Sequence, residues 1–383
     1  MEWECLFGYI CLMGCRSFFV LLALVVSSAL FGQSEDNAPW RASFKVGRGF
    51  MITHQPQMEY VGNQHLNKLE LQAERRLIGS KAWHEDYGFP YAGVSLSYFQ
   101  FDKSEFFGSG IGLAPYYSFF MAGDEKFGLR LRTAVGVGWI EESFDLEENY
   151  KNVAIGSSIN LYFSVFLEGH YMFNEKWGIA AGIDFSHFSN TGARQPNLGI
   201  NLPTVNFGIS HQFGKSVSPG KISSEDRDEV SSYKSGERFI KLRYGNGIHD
   251  TYPVEGPRFL ATAVGVEWGK VLSSKSILSG GLDFFYNPGQ RVSMRQDSLY
   301  IDGGWENLQI GIAVQHLFQF GNFASGLKAG VYLKKEDPDL QFLYAEFIGQ
   351  YSINKRFDLF ISLKTHFARA EYCLFGINYK ILR

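Results

Sequence analysis

Side chains along most of this chain alternate between apolar and polar with a period of two. One face of an extended strand would carry Phe127, Leu129 and Leu131, and the other face Arg130 and Arg132. A period of two is the signature of a β-strand. Many of these runs reach the roughly ten residues that a tilted strand needs to cross a membrane. The pattern therefore predicts an all-β chain of long antiparallel strands with one apolar face.

The runs fall into two sets of about eight, on either side of a polar segment at residues 214–237. The first set lies at 42–50, 68–77, 91–101, 108–122, 127–140, 160–173, 177–189 and 204–213. The second lies at 239–249, 259–272, 277–286, 308–320, 323–334, 340–353, 357–367 and 372–382. Two arrangements fit: two eight-stranded barrels over 40–213 and 238–383 joined by a linker, or one barrel of about sixteen strands. We favour two barrels, because Phe213 closes a complete first set.

The N-terminus predicts export. Arg16 precedes an apolar run at 18–26, and small residues follow at 27–29 before Gly32. Those are the parts of a signal peptide, expected over residues 1–32 with Met13 as an alternative start. The rest of the chain has no apolar run long enough for a membrane-spanning helix. Together with an aromatic content of 16%, this favours an antiparallel β-barrel of the outer membrane.

Charge and glycine patterns exclude some functions. A formal net charge of −3 predicts no nucleic-acid partner. Charged residues on the polar strand faces are expected to pair with one another inside a narrow lumen; they are Arg130, Arg132, Glu168, His170 and Asp184. The glycines of Gly245-Asn246-Gly247 predict a turn and not a phosphate loop, because no helix pattern follows them.

The run at 177–189 carries the most informative side chains. His187 and Ser189 share the apolar face of this strand by the period of two, where polar groups are costly unless they lie near the membrane interface. Residues two apart on a strand are about 7 Å apart, so an imidazole and a hydroxyl can form the hydrogen bond of a serine nucleophile and its base. A His-x-Ser pair is a weak motif, and the spacing alone favours two interface residues without chemistry.

The segment HFSNTGARQPNLGIN, residues 187–201, resembles the signature of the lipid A 3-O-deacylase (PagL-like) family, also called acyloxyacyl hydrolases. The resemblance extends over about 42–213 and is sharp over 183–201. It implies an outer-membrane serine esterase that removes an ester-linked acyl chain from lipid A, with no metal and no cofactor. The implied partners are lipopolysaccharide in the outer leaflet and the membrane itself, and homodimerisation is left open.

The resemblance also implies roles for individual residues. Ser189 matches the family nucleophile, His187 the base, and Asn190 a position that supports the oxyanion. The family's third member is a glutamate that orients the histidine, and here Asn201 occupies its position, with Asn197 as a second supporting amide. An amide oxygen can accept the imidazole N–H but cannot stabilise an imidazolium by charge. A catalytically weak or inactive barrel with a structural, transport or binding role is therefore the alternative.

The second half contains a faint repeat of this pattern at His366-Phe367-Ala368. Alanine stands where the serine would be, and the period of two puts His366 on the polar side of its strand together with Lys364. The second barrel is therefore predicted to be non-catalytic.

Overall fold

The computed structural model describes residues 38–78, 81–215, 235–251, 254, 256–296, 304–338, 340–366 and 369–382. The predicted signal peptide at 1–32 and residues 216–234 of the predicted linker lie outside these ranges. By its internal contacts the chain divides into two compact units. The first contains the first eight strands, and the second contains the other eight together with Lys81–Asp86 and Thr191–Asn197.

The first unit is a closed antiparallel barrel of eight strands. They are β1 (Trp40–Phe50), β2 (His65–Arg76), β3 (Tyr91–Phe101), β4 (Ser109–Gly123), β5 (Phe127–Ile140), β6 (Ile159–Met172), β7 (Trp177–Ser189) and β8 (Ile200–Phe213). Each strand pairs with the next along the chain, and β1 pairs with β8, where Trp40 lies opposite Phe213. The predicted eight-stranded barrel of the first half is confirmed.

The second unit is a separate closed barrel. Its strands are β9 (Arg238–Asp250), β10 (Arg258–Ser273), β11 (Ser276–Tyr286), β12 (Leu308–Phe320), β13 (Phe323–Lys334), β14 (Leu343–Ser352), β15 (Phe357–His366) and β16 (Arg369–Leu382). Pairing of β16 with β9 closes it, with Leu382 opposite Phe239. Two barrels are therefore confirmed over one of about sixteen strands. Short helices occur at Ala82–Asp86, Ser104–Phe107 and Gln290–Gln296, and none in the described part of the chain could cross a membrane.

Two glycines that predicted a turn lie inside strand β9, so that prediction was wrong. A Cβ on Gly245 would come within 2.7 Å of Cζ of Phe360, and one on Gly247 within 2.2 Å of the carbonyl oxygen of Cys373. Both positions are therefore glycine because neighbouring strands and a ring approach the backbone closely, which is the other common use of glycine in a sheet.

The outward faces of the first barrel are apolar. Leu71, Ile183 and Phe207 keep 55%, 63% and 56% of their surface exposed. The inward faces carry buried charges instead. This reverses the distribution of a water-soluble protein and matches the lipid-facing band of an outer-membrane barrel.

The charges inside the first barrel form a connected network. Arg132 donates to both Glu70 oxygens, at 2.7 and 3.0 Å, and lies 3.4 Å from Asp184. Lys68 donates to Asp184 at 2.8 Å. Further contacts are Arg130 with Glu74 (2.8 Å) and Glu168 (2.5 Å), Lys45 with Glu168, and His170 with the carbonyl oxygen of Asp124 (2.9 Å). The predicted internal pairing is confirmed for Arg130, Arg132, Glu168 and Asp184, whereas His170 contacts a backbone carbonyl oxygen.

The second barrel has a lumen of the same kind. Arg243 donates to both oxygens of Glu346, at 3.2 and 2.5 Å. Lys328 lies 2.8 Å from Glu267 and 2.9 Å from Asp283. Buried charges are tolerated only when they are paired. The charged side chains of each lumen therefore need partners on other strands of the same barrel.

Strand β8 begins earlier than its sequence pattern predicts. The expected start was residue 204, whereas the strand starts at Ile200 and so includes Asn201, which the alternation placed in a loop. The reason is pairing on both sides. Asn201 lies opposite His187 on β7, and its carbonyl oxygen accepts the Ile52 N–H at 2.9 Å.

Candidate active site

His187 and Asn201 face each other across two neighbouring strands. They are directly opposite in the β7–β8 register, and His187 Nδ1 lies 2.7 Å from Asn201 Oδ1. An amide oxygen only accepts hydrogen bonds, so Nδ1 carries the imidazole proton in this contact. The other ring nitrogen, Nε2, then has its lone pair available, which is the state a general base requires.

Strand β7 holds its final residues in place through Phe188. This ring is fully buried, and its centroid lies 5.3 Å from that of Phe99 and 5.0 Å from that of Tyr162. Because successive strand residues point to opposite faces, burying Phe188 in the lumen directs His187 and Ser189 outward. Both therefore lie on the same face of β7.

Ser189 ends strand β7, and Asn190 follows it. Their exposed fractions are 5% and 4%, so both are buried. The chain then turns sharply, with φ of 60° at Thr191. A β-branched residue rarely adopts a left-handed backbone, and such strain clusters at functional sites.

Asn197 is half-buried and lies in Thr191–Asn197, a segment that belongs to the second unit. The other four predicted site residues belong to the first unit.

Gly199 lets the backbone lie directly against the His187 ring. It has φ of +82°, and a Cβ added there would come 2.7 Å from Cε1 and 3.4 Å from Nε2 of that imidazole. Its own N–H donates to the carbonyl oxygen of Ala154 at 2.8 Å. Only glycine combines this backbone conformation with such a close approach.

A second histidine, His54, joins the pair and was missed by the sequence reasoning. Its Nδ1 lies 3.0 Å from Nδ2 of Asn201. It follows strand β1, and the Ile52–Asn201 bridge brings this part of the chain to the start of β8. The available signal was topological: closing a barrel pairs the first strand with the last, so residues after β1 lie near residues that begin β8.

The carboxylates nearest to His187 in sequence form hydrogen bonds with other residues in the lumen. Asp184 is buried in the lumen, where Ser164 and Ser186 donate to it at 2.6 and 2.7 Å. Glu168 is bound by Arg130 and Lys45. The partner at His187 Nδ1 is therefore the amide of Asn201 and neither of these two carboxylates. Within the described ranges, no group of three or more His, Cys, Asp or Glu side chains is arranged to hold a metal ion.

Two family models match the chain, one for each barrel. The model "Lipid A 3-O-deacylase (PagL)" matches residues 67–210. The model "Acyloxyacyl hydrolase, C-terminal domain" matches residues 238–383. The first match agrees with the resemblance drawn from residues 187–201, and the second covers the half of the chain to which that resemblance did not extend. No curated protein matches the chain.

Solved structures with a similar fold are outer-membrane barrels. Neisserial surface protein A is 12% identical, with a TM-score of 0.33 over 45% of this chain and 97% of that one. The outer membrane enzyme PagL is 17% identical, with a TM-score of 0.32 over 43% of this chain and 97% of that one. The KdgM porin is 8% identical, with a TM-score of 0.19 over 88% and 99%. Likenesses this weak add nothing about activity or substrate.

Proposed function

The first barrel of this outer-membrane protein belongs to the lipid A 3-O-deacylase family, and on that premise we propose that the chain is a serine esterase acting on lipid A. It removes one ester-linked acyl chain through Ser189, His187 and Asn201. The observation that carries the proposal is the 2.7 Å contact between His187 Nδ1 and Asn201 Oδ1. It supports an imidazole whose Nε2 can accept a proton from the serine on the same strand face.

The reaction follows the order of acyl transfer to serine. Ser189 Oγ attacks the acyl carbon of the ester while its proton moves to His187 Nε2, giving a tetrahedral oxyanion. His187 returns that proton to the sugar oxygen as the carbon–oxygen bond to the sugar breaks. Water then attacks the acyl-serine with His187 again as base, which releases a fatty acid and restores the serine. Asn190 and backbone N–H groups are the proposed oxyanion donors.

The outward position of the site suits a lipid substrate. His187 and Ser189 extend the face that carries Ile183 and Phe185, two side chains left 63% and 37% exposed. A lipid acyl chain that lies along this face stays in an apolar environment. The substrate would then reach the serine laterally, from within the outer leaflet.

The missing carboxylate predicts slow turnover. An amide can hold the His187 tautomer, but its dipole stabilises the imidazolium less than a full negative charge does. The same feature is what favours the alternative function, a barrel with a structural, transport or binding role and no catalysis.

Mass spectrometry of lipid A distinguishes the two functions. Membranes containing lipopolysaccharide are incubated with the wild type, with Ser189→Ala and with Ser210→Ala. Ser210 is the matched control because it lies on β8 opposite Gly178, at the far end of β7 from the site. We expect acyl loss with the wild type and the control, and at least about 10³-fold less with Ser189→Ala. No acyl loss with the wild type, or equal loss with Ser189→Ala, would leave the non-enzymatic function.

A further inference from the structure

The amide of Asn201 can take two orientations, and they have opposite consequences for His187. With Oδ1 toward His187, the ring is protonated on Nδ1 and its Nε2 can act as a base. With Nδ2 toward His187, the amide donates to Nδ1, and the proton must move to Nε2, which then cannot accept one from the serine. In the serine-protease triad, replacing the acid by an amide costs about 10⁴-fold in kcat for this reason.

A carboxylate has no such ambiguity, because both of its oxygens accept. A chain that uses an amide at the third position therefore needs a further group to choose the orientation. The contact that could do so is on the other side of Asn201, where Nδ2 lies 3.0 Å from His54 Nδ1.

We infer that His54 is a positioning residue that fixes the Asn201 amide and, through it, the tautomer of His187. A neutral imidazole has one nitrogen that donates and one that accepts. When His54 Nδ1 accepts from Asn201 Nδ2, the amide oxygen can only point to His187. The inference rests on the proposed function for its catalytic meaning. Which groups donate and which accept along His54, Asn201 and His187 can be measured without turnover.

The backbone supports this role. Ile52 is bridged to Asn201, with its N–H 2.9 Å from the Asn201 carbonyl oxygen. Two residues later, His54 lies next to the Asn201 side chain, with its Nδ1 3.0 Å from Nδ2 of the amide. His54 is half-buried, and the tautomer that the inference requires is the one protonated on Nε2, whose Nδ1 accepts.

Three variants test the inference by kinetics. His54→Leu removes the acceptor, and we expect kcat to fall about 10- to 100-fold with KM nearly unchanged, because the amide then populates both orientations. His54→Asp places an oxygen that can only accept at the same number of bonds from the backbone as the His54 Nδ1, and it should recover most of that loss. Asn201→Asp replaces the amide by a carboxylate of the same shape, so adding His54→Leu to it should cost less than about threefold.

A purely structural role for His54 gives a different pattern. Loss of loop packing would damage the Asn201→Asp background as much as the wild type, and would raise KM as well as lower kcat. Equal losses from His54→Leu in the two backgrounds would therefore overturn the inference, as would wild-type kcat in His54→Leu.

Nitrogen-15 NMR of the histidine-labelled full chain in detergent micelles gives a readout that needs no activity. The chain has nine histidines, and His187→Gln identifies the His187 signals by their loss. We expect His187 protonated on Nδ1 in the wild type and in His54→Asp, and a mixture of tautomers in His54→Leu. An unchanged His187 tautomer in His54→Leu would refute the role of His54. A wild type that removes no acyl chain would refute the proposed esterase, while these spectra still decide on His54.

Discussion

Adding one methyl group at Gly199 should displace the proposed catalytic base. In Gly199→Ala, the new Cβ would lie 2.7 Å from His187 Cε1, whereas ordinary contact begins at 3.4 Å. The overlap is 3.4 − 2.7 = 0.7 Å, and the ring is the neighbour that can yield, because the Gly199 N–H is held by the Ala154 carbonyl oxygen at 2.8 Å. A shift of that size is comparable to the 1 Å misplacement that can cost about 10²-fold in rate. We therefore expect kcat to fall about 10- to 100-fold.

The same substitution also strains the backbone, and a control separates the two effects. A non-glycine residue at a positive φ costs about 1–2 kcal/mol. Gly88→Ala carries that cost without the overlap, because Gly88 has φ of +70° and no atom lies within 4 Å of its added Cβ. Gly88→Ala should therefore lose stability to a similar extent and keep its kcat.

Both variants are measured by initial rates of fatty-acid release from lipid A in detergent micelles. Heat-modifiable mobility on gels gives the folded fraction of each preparation, to which the rates are normalised. Wild-type kcat in folded Gly199→Ala would show that the His187 ring does not need its position against this backbone, and the reasoning would be wrong.

Three further predictions concern the stability of the first barrel. Lys68→Met removes the donor 2.8 Å from Asp184 and leaves that buried carboxylate with Arg132 and two serine donors; losing one hydrogen bond to a charged group should cost about 1.5–3 kcal/mol, seen as a lower urea midpoint in micelles, and an unchanged midpoint would contradict a paired lumen. Ile183→Arg puts a charge on an outward face that is 63% exposed and should cost about 2–4 kcal/mol in lipid bilayers; folding into vesicles with wild-type stability would mean that this face does not contact lipid. Burial raises the pKa of the Glu125 carboxyl, but Arg41 and the other hydrogen-bonded partners outweigh it and hold that pKa below its ordinary value. Because the folded pKa is depressed, Glu125 adds stability above the unfolded pKa of about 4.3, and this is lost as the pH falls through the folded value. Unfolding titrations should show a flatter acid limb in Glu125→Gln, and identical limbs would refute the assignment.

The strands could be predicted from sequence because their signal is local. An alternation such as that of β5 is repeated over fourteen residues, and one slip in register would put every charge into lipid. Eight such runs also suffice to close a barrel, so the two-barrel arrangement followed from the polar segment between the sets. The predicted ends were less accurate where the partner strand decides them, as at Ile200.

The candidate site was only partly predictable, for a related reason. His187 and Ser189 are two residues apart, so their shared face follows from the strand period. The contact between Asn201 and His54 joins positions 147 residues apart. The sequence around His54 contains no motif that predicts this contact. It exists because the chain closes on itself, and closure is a property of the whole barrel.

The pairing of β1 with β8 has a consequence for when the proposed enzyme becomes active. Asn201 is held between His187 and the residues that follow β1, so the site lies on the seam where the two ends of the barrel sheet meet. Contacts between the most distant parts of a chain carry the largest loop-closure cost and form late in folding. A chain still in transit, with its sheet open, would have Ser189, His187 and Asn201 on the β7–β8 hairpin but would lack His54 beside the Asn201 amide. We therefore expect the proposed enzyme to reach its full rate only after the barrel has closed in its destination membrane.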